Sequence, residues 1–93
     1  MNNTVTEEQI EKLMEGAKVN VMTMFDKCTI VAVQLPNGFI LVESSACVDK
    51  ENYDEKLGTQ ICIERIVNKI WELEGYKLQC EVSNKAAEEK VED

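Results

Sequence analysis

Apolar residues recur at helical spacing close to the start of the sequence. The residues on this stripe are Ile10, Leu13, Met14 and Ala17. Just before it, Thr6 and Gln9 have the spacing of a capping box, in which each side chain accepts the other residue's backbone N–H. Gly16 follows as a stop signal. The pattern therefore predicts an N-terminal helix over roughly residues 6–16.

Two runs rich in β-branched and apolar residues follow, over 28–35 and 39–45. The sequence Pro36-Asn37-Gly38 lies between them, and β-rich runs joined by Asn-Gly are the strongest short-range signal of a β-hairpin. Two turns fit this sequence. One is a two-residue type I′ turn centred on Asn37 and Gly38, and the other is a type I turn that starts at Pro36 and uses Gly38 as a bulge residue.

The register of the hairpin determines which side chains share a face. In the two-residue version Leu35 pairs with Ile40 and Val33 pairs with Val42, so one face is fully apolar and the other is half apolar. A sheet with two partly apolar faces needs cover on both sides, and 93 residues offer little to cover them. We therefore expect self-association. Before the hairpin, residues 19–25 alternate in polarity, which fits either a short strand or an extended linker.

A longer helical pattern extends from Tyr53 to Glu74. Its apolar residues, which cover an arc of about 180° at 100° per residue, are Cys62, Ile63, Ile66, Val67, Ile70, Trp71 and Leu73. Gly75 stands where a left-handed C-cap belongs. Alternation over residues 76–82 then predicts a short closing strand, and residues 83–93 form either a frayed acidic tail or a solvated helical extension.

These elements together predict a single α+β domain over residues 1–82. An N-terminal helix precedes a central antiparallel β-hairpin, a long C-terminal helix packs on the sheet, and a short strand closes it. Residues 83–93 then form an acidic, flexible C-terminal tail. Trp71 lies at the edge of the apolar arc, so we expect its indole in the core or between protomers rather than on a ligand platform.

The charge balance excludes several classes of partner. Ten Lys and Arg against eighteen Asp and Glu give a net charge of -8. Direct binding of nucleic acid requires a cationic surface, and docking on an anionic membrane requires one as well. A run of about 18 apolar residues, as needed to span a bilayer, does not occur. The first eight residues also lack the basic and apolar regions of a signal peptide, so we expect a cytoplasmic protein.

The cysteines do not have the spacing of a metal site. They are well separated, without a Cys-x-x-Cys pair, and the chain contains no histidine, whereas zinc sites normally pair ligands two to four residues apart. We expect no metal, no cofactor and no disulfide. We expect Cys28, Cys47, Cys62 and Cys80 to be buried, reduced thiols that act as small hydrophobic residues.

Five short segments, in a fixed order, carry a resemblance to a known family. They are Phe25-Asp26-Lys27-Cys28-Thr29, Leu35-Pro36-Asn37-Gly38-Phe39, Ser45-Ala46-Cys47-Val48-Asp49, Glu51-Asn52-Tyr53-Asp54 and Ile70-Trp71-Glu72-Leu73-Glu74-Gly75-Tyr76. Over about residues 6–79 the sequence resembles the small phage proteins of the gene-product-49/gene-66 family, which also occur in prophages. The resemblance implies an origin in a phage or prophage genome, and it brings no biochemical mechanism with it.

The open end of the hairpin, opposite the Asn-Gly turn, collects polar residues beside the start of the second helix. The candidate ligand-binding residues are Lys27, Thr29, Ser45, Asp49, Asn52, Tyr53 and Lys56. Unpaired N–H groups at a helix N-terminus favour anions, the lysines add positive charge, and Tyr53 offers a ring for stacking. In the alternative interpretation these residues only cap the helix and end the strands.

These observations favour a binding protein over an enzyme, because the commonest general base, histidine, is missing. We expect a non-enzymatic phage accessory protein that acts in counter-defence. It would sequester a small anionic nucleotide signal of the host, or it would inhibit a basic host protein through its acidic surface. A structural or assembly component of the phage particle is the alternative.

Overall fold

A computed structural model describes residues 3–90, and it has two helices and a three-stranded sheet. The elements are α1 (Glu7–Glu15), β1 (Lys18–Met24), β2 (Cys28–Gln34), β3 (Ile40–Ala46), a 3-10 turn (Lys50–Asn52) and α2 (Glu55–Lys90). The strands are antiparallel and lie in the order β1-β2-β3. Because α2 packs on one face of this sheet, the α+β class predicted from the sequence is confirmed.

Helix α1 has the capping box that its sequence predicts. The hydroxyl of Thr6 accepts the backbone N–H of Gln9 at 3.2 Å, and the side-chain oxygen of Gln9 accepts the backbone N–H of Thr6 at 2.8 Å. Gly16 follows the last helical residue. Ile10 is buried, and Leu13 packs beside it against the core. The apolar stripe therefore holds this short helix on the rest of the protein.

The segment that fits either a strand or a linker is strand β1, which pairs with β2 along its whole length. The turn that follows has φ values of 55° at Phe25 and 58° at Asp26, and Lys27 N–H donates to Met24 O at 3.2 Å. Positive φ at both central residues is the geometry of a type I′ turn, whose twist suits a hairpin. Neither residue is a glycine, so this turn carries local backbone strain.

Of the two turns that fit the sequence between β2 and β3, the structure has the type I turn with Gly38 as the bulge residue. Gly38 N–H donates to Leu35 O at 2.8 Å, and Leu35 N–H donates to Phe39 O at 2.8 Å. The φ of 94° at Gly38 lies in the region that a glycine adopts most easily. Three residues therefore connect the strands, as in a type I turn with a glycine bulge.

The register that the two-residue turn predicts is wrong by one position. Val33 pairs with Leu41 and not with Val42. Because side chains alternate between the faces of a strand, a one-residue shift moves every side chain of β3 to the opposite face. Leu41 is consequently buried at 8% exposure, whereas Ile40 and Val42 are 58% and 52% exposed on the other side.

The hydrophobic core lies between the helices and one face of the sheet. Its buried residues are Ile10, Thr29, Val31, Val33, Leu35, Leu41, Cys62, Ile66 and Ile70. Helix α2 lies across β2 and β3, and its three core residues follow one another at intervals of one turn. Trp71 is half-buried against this core.

The predicted closing strand over residues 76–82 is wrong, because α2 continues through this segment to Lys90. Gly75 does not end the helix, and a glycine inside a helix costs only about 1 kcal/mol. Leu78 and Val82 lie four residues apart and are half-buried, so the alternating apolar residues also satisfy helical spacing. Of the predicted tail, residues 83–90 are helical, and 91–93 lie outside the described residues.

The face of the sheet away from the helices also carries apolar side chains. Met22, Met24, Ile40 and Val42 are between 39% and 58% exposed on this face. None of the helices within residues 3–90 is long and apolar enough to cross a membrane.

Candidate functional site

The open end of the sheet is organised around the hydroxyl of Tyr53. Thr23 Oγ1 and Thr29 Oγ1 each lie 2.7 Å from this oxygen, and Thr23 Oγ1 donates to Glu55 Oε2 at 2.6 Å. The two threonines face each other across β1 and β2. Three elements therefore converge on the phenol, which fixes its ring between the sheet and the start of α2.

The close packing of α2 on the sheet depends on Gly58. Thr29 is fully buried beneath it, and a Cβ atom at residue 58 would lie 2.9 Å from the Cβ of Thr29. Cys62, one turn further on, has its thiol 3.9 Å from Thr29 O. The first two turns of α2 thus lie directly on β2, and this position brings Tyr53 within reach of the threonines.

A shallow cavity of about 140 Å³ lies beside Tyr53, between the end of β3 and the start of α2. It is lined by Ser45, Ala46, Cys47, Asn52, Tyr53, Asp54, Leu57, Gly58 and Ile61. The serine, the asparagine and the tyrosine supply polar groups, and Leu57 and Ile61 supply apolar surface. Ligand sites in proteins combine surfaces in this way, although they usually enclose about 300 Å³ or more.

The loop between β3 and α2 holds itself in place through local hydrogen bonds. Asp49 Oδ1 accepts the N–H of Glu51 at 3.0 Å, and the thiol of Cys47 lies 3.1 Å from Asp49 O. Lys27 Nζ donates to Val48 O at 3.3 Å, and the backbone of the same lysine accepts Cys47 N–H at 3.0 Å. The turn after β1 is therefore attached to this loop.

The structure brings together some of the seven predicted site residues. Ser45, Asn52 and Tyr53 line the cavity, and Thr29 lies behind the tyrosine as its hydrogen-bond partner. The remaining residues lie outside the lining of the cavity: Lys27 and Asp49 belong to the adjoining loops, and Lys56 is exposed in the first turn of α2.

Two residues of the network, Thr23 and Glu55, were not predicted from the sequence. Thr23 pairs with Thr29 across the first hairpin, so an assignment of residues 19–25 as a strand would have pointed to it. Glu55 gives no signal of this kind, because its role depends on the contact between α2 and the end of β1.

The electrostatics of this end are mixed. Asp54 caps α2, since its carboxylate accepts the N–H of Leu57 at 3.2 Å. That contact satisfies one of the backbone donors that a helix N-terminus offers to an anion. Lys50 and Lys56 are exposed close by in the sequence, next to Glu51 and Glu55. The arrangement is suited to hydrogen bonding and ring stacking of a small guest, and less so to a polyanion.

The buried thiol of Cys62 has a structural role. Burial raises its pKa above the ordinary value, and the nearby Arg65 opposes this effect in part. A raised pKa keeps a thiol protonated and poorly nucleophilic. Cys28, Cys47, Cys62 and Cys80 are all free, but the expectation that all four are buried is wrong, because Cys28, Cys47 and Cys80 are half-buried. Among the residues that the structure describes, no three potential ligands are grouped so that they could hold a metal ion.

The fold and this polar end define a small α+β protein of phage origin. The chain belongs to the phage protein (N4 Gp49/phage Sf6 gene 66) family, whose model matches residues 5–82. The matched region includes α1, the sheet, the candidate site and most of α2, and it confirms the resemblance found in the sequence. No curated protein and no solved structure gives a significant match.

Proposed function

We propose that this protein is a non-enzymatic accessory factor that acts in counter-defence in the cytoplasm of the infected host. It binds a small anionic nucleotide signal at the open end of the sheet and thereby keeps the signal from its receptor. Membership of the phage family supports a role in infection, and the position of Tyr53 supports a role in binding.

The observation that carries the proposal is the fixed orientation of Tyr53 at the edge of a cavity. Two threonine hydroxyls hold the phenol oxygen, so the ring is already ordered before a guest arrives. Binding then costs little conformational entropy at this side chain. Asn52 and Ser45 line the same cavity, and their amide and hydroxyl groups can hydrogen-bond to the edge of a base.

The size and charge of the site limit the guest. A cavity of about 140 Å³ encloses only part of a nucleotide, since pockets for whole ligands run to about 300–1,000 Å³. The rest of the molecule would lie over exposed surface, where Lys27 and Lys56 offer positive charge. A net charge of -8 repels a polyanion at long range, so the proposal concerns small cyclic nucleotides rather than nucleic acid.

Calorimetry tests the proposal directly. Cyclic dinucleotides, cyclic trinucleotides and isomers of cyclic ADP-ribose would be titrated into the wild type and three variants, Asn52→Ala, Lys27→Ala and Lys56→Ala. We expect one of these ligand classes to bind, and each variant to weaken binding by about tenfold or more, as for the loss of one hydrogen bond to a charged group. Lys12→Ala is the control, because Lys12 pairs with Glu8 on α1.

The calorimetry distinguishes a site at the open end of the sheet from a site elsewhere, and nucleotide binding from its absence. Binding that survives all three substitutions moves the site elsewhere on the chain. An absence of heat with every ligand, at protein concentrations of about 100 μM, contradicts nucleotide sequestration.

A second candidate function is inhibition of a basic host protein, and the distribution of charge favours it. Helix α1 presents Glu7, Glu11 and Glu15 to solvent and contains a single lysine, Lys12, and acidic surfaces speed association with basic partners. If this function holds, crosslinking in infected cells captures a host protein and the capture weakens as salt concentration rises. Recovery of the protein in purified phage particles instead would indicate the structural or assembly role.

A further inference from the structure

The two edges of the sheet differ in how well they are protected from pairing with another strand. At the β3 edge, Arg65 of α2 donates to the backbone oxygen of Ser44 at 2.8 Å, and Lys69 of the same helix pairs with Glu43. Strand β1 forms the other edge, and all seven of its residues are exposed. Exposed edges are ready to accept another strand, and natural proteins usually block them with charges, prolines or bulges.

The hydrogen-bonding pattern identifies the groups that β1 presents at its edge. Because Leu35 N–H donates to Phe39 O, the odd-numbered residues of β2 bond to β3 and the even-numbered ones bond to β1. The partners of those even-numbered residues are also even-numbered on β1. The backbone groups of Val19, Val21 and Thr23 consequently point outward from the sheet.

Side chains of the same residues are incompletely covered. Val19 and Val21 lie on the helix side of the sheet, opposite the buried Val33 and Val31. Since α2 lies across β2 and β3, the two β1 valines stay 44% and 42% exposed. An apolar row and a row of unpaired backbone groups therefore coincide on one strand.

We propose that two copies of this chain pair through β1, antiparallel, with Val21 opposite the partner's Val21. In this register Val19 lies opposite the partner's Thr23, and the three outward residues of each copy exchange about six backbone hydrogen bonds. The two sheets join into one of six strands, with both long helices on the same side.

A second copy fits this edge better than an unrelated strand because β1 is complementary to itself. Its only charged residue is Lys18, at one end. Pairing centred on Val21 puts Lys18 opposite the partner's Met24, so like charges are not brought together. The apolar rows of the two copies then cover one another. Phe25, 83% exposed in the following turn, lies beside the start of the partner's β1.

Light scattering coupled to size exclusion tests the pairing. We expect the wild type to have twice the mass of one chain, and Val21→Pro to have the mass of one chain with its helical circular dichroism retained. Proline at this position removes an outward N–H and no hydrogen bond within the protomer. The dissociation constant of the dimer should rise by about 100-fold or more. Val42→Pro is the matched control, since this residue of β3 also directs its N–H outward, and it should stay dimeric.

A charge exchange at the same position keeps the test decisive if the proline variant fails to fold. Val21→Lys and Val21→Glu should each be monomeric alone, because residue 21 meets its own copy, and an equimolar mixture should form the heterodimer. A monomeric wild type at about 100 μM would overturn the proposal. So would a dimer that Val42→Pro dissociates and the Val21 variants leave intact, since that result assigns the contact to β3.

Discussion

Gly58 of α2 lies directly against Thr29 of β2. A Cβ atom at residue 58 would lie 2.9 Å from the Cβ of the threonine, and closer still to its hydroxyl. The same hydroxyl holds the phenol of Tyr53. The absence of a side chain at Gly58 therefore sets how closely α2 approaches the sheet, and with it the position of Tyr53 at the candidate site.

The first prediction follows from this packing. Gly58→Ala should lower the free energy of unfolding by about 1–3 kcal/mol, because the methyl group must push the helix or the threonine away. This loss of stability is the net effect, after the stabilisation that alanine brings through its higher helix propensity. Gly75→Ala is the control: it lies in the same helix with nothing within 4 Å, and it should gain about 1 kcal/mol. Urea denaturation measures both, and equal gains in the two variants would contradict the packing argument.

Removal of the Tyr53 hydroxyl should destabilise the protein without disturbing its fold. Tyr53→Phe leaves the fully buried hydroxyl of Thr29 without this partner, a loss of about 1–3 kcal/mol in the free energy of unfolding. Tyr76→Phe is the matched control because Tyr76 is 73% exposed, and it should change stability by less than about 0.5 kcal/mol. Equal stability of both variants in urea denaturation would show that the threonine finds another partner.

The fold was predictable where local chemistry acts alone. The capping box of α1 and the presence of a hairpin around Asn37 and Gly38 follow from short motifs. The choice between the two turns was not predictable, because Asn37 and Gly38 suit both and the outcome rests on the bond from Gly38 N–H to Leu35 O. The helical structure of residues 76–82 does not follow from the sequence for two reasons. The apolar residues of this segment fit the alternation of a strand as well as the spacing of a helix, and Gly75 resembles the C-cap that ends a helix.

The candidate site was also predictable only in part. Tyr53, Asn52 and Ser45 are close in the structure because the hairpin brings β3 to the start of α2, which the order of elements implies. Glu55 joins the network only because of the place where the start of α2 meets the end of β1. The packing of Gly58 on Thr29 determines this place, and no local pattern in the sequence reveals it.

The turn after β1 offers a stabilising substitution. Asp26 has a φ of 58°, in the left-handed region that costs residues with a Cβ atom about 1–2 kcal/mol. Asp26→Gly should therefore raise the free energy of unfolding by about 1 kcal/mol, measured by urea denaturation. Asp26→Ala removes the same charge and keeps the Cβ, so it should bring no gain. A similar gain in both variants would assign the effect to charge.

Trp71 should contribute strongly to stability. Its indole is half-buried against the core beside Val67, and Trp71→Ala should cost about 3 kcal/mol, at the lower end of the range for large aromatic residues. Leu73→Ala is the control, because Leu73 is 40% exposed on the same helix, and it should cost about 1 kcal/mol or less. If Trp71→Ala kept its melting temperature and lost only ligand binding, the tryptophan would belong to the recognition surface.

Chelators and reductants should leave the melting temperature unchanged, because the four cysteines are free and no group of ligands for a metal occurs among the described residues. Differential scanning calorimetry with and without a chelator and a thiol reductant measures this. A decrease of about ten degrees with chelator would establish a metal site that stabilises the folded state.

Cys62 predicts how stability depends on pH. Burial raises the pKa of its thiol above the ordinary 9.0, with Arg65 opposing the effect. Between the unfolded pKa and the higher folded pKa, the folded state retains a proton that the unfolded state releases, so stability falls as pH rises. The contribution is complete below about pH 8 and is lost at higher pH. Urea denaturation at about pH 7.5 and pH 10 should show a smaller decrease for Cys62→Ala than for the wild type, and equal decreases would contradict a buried, protonated thiol.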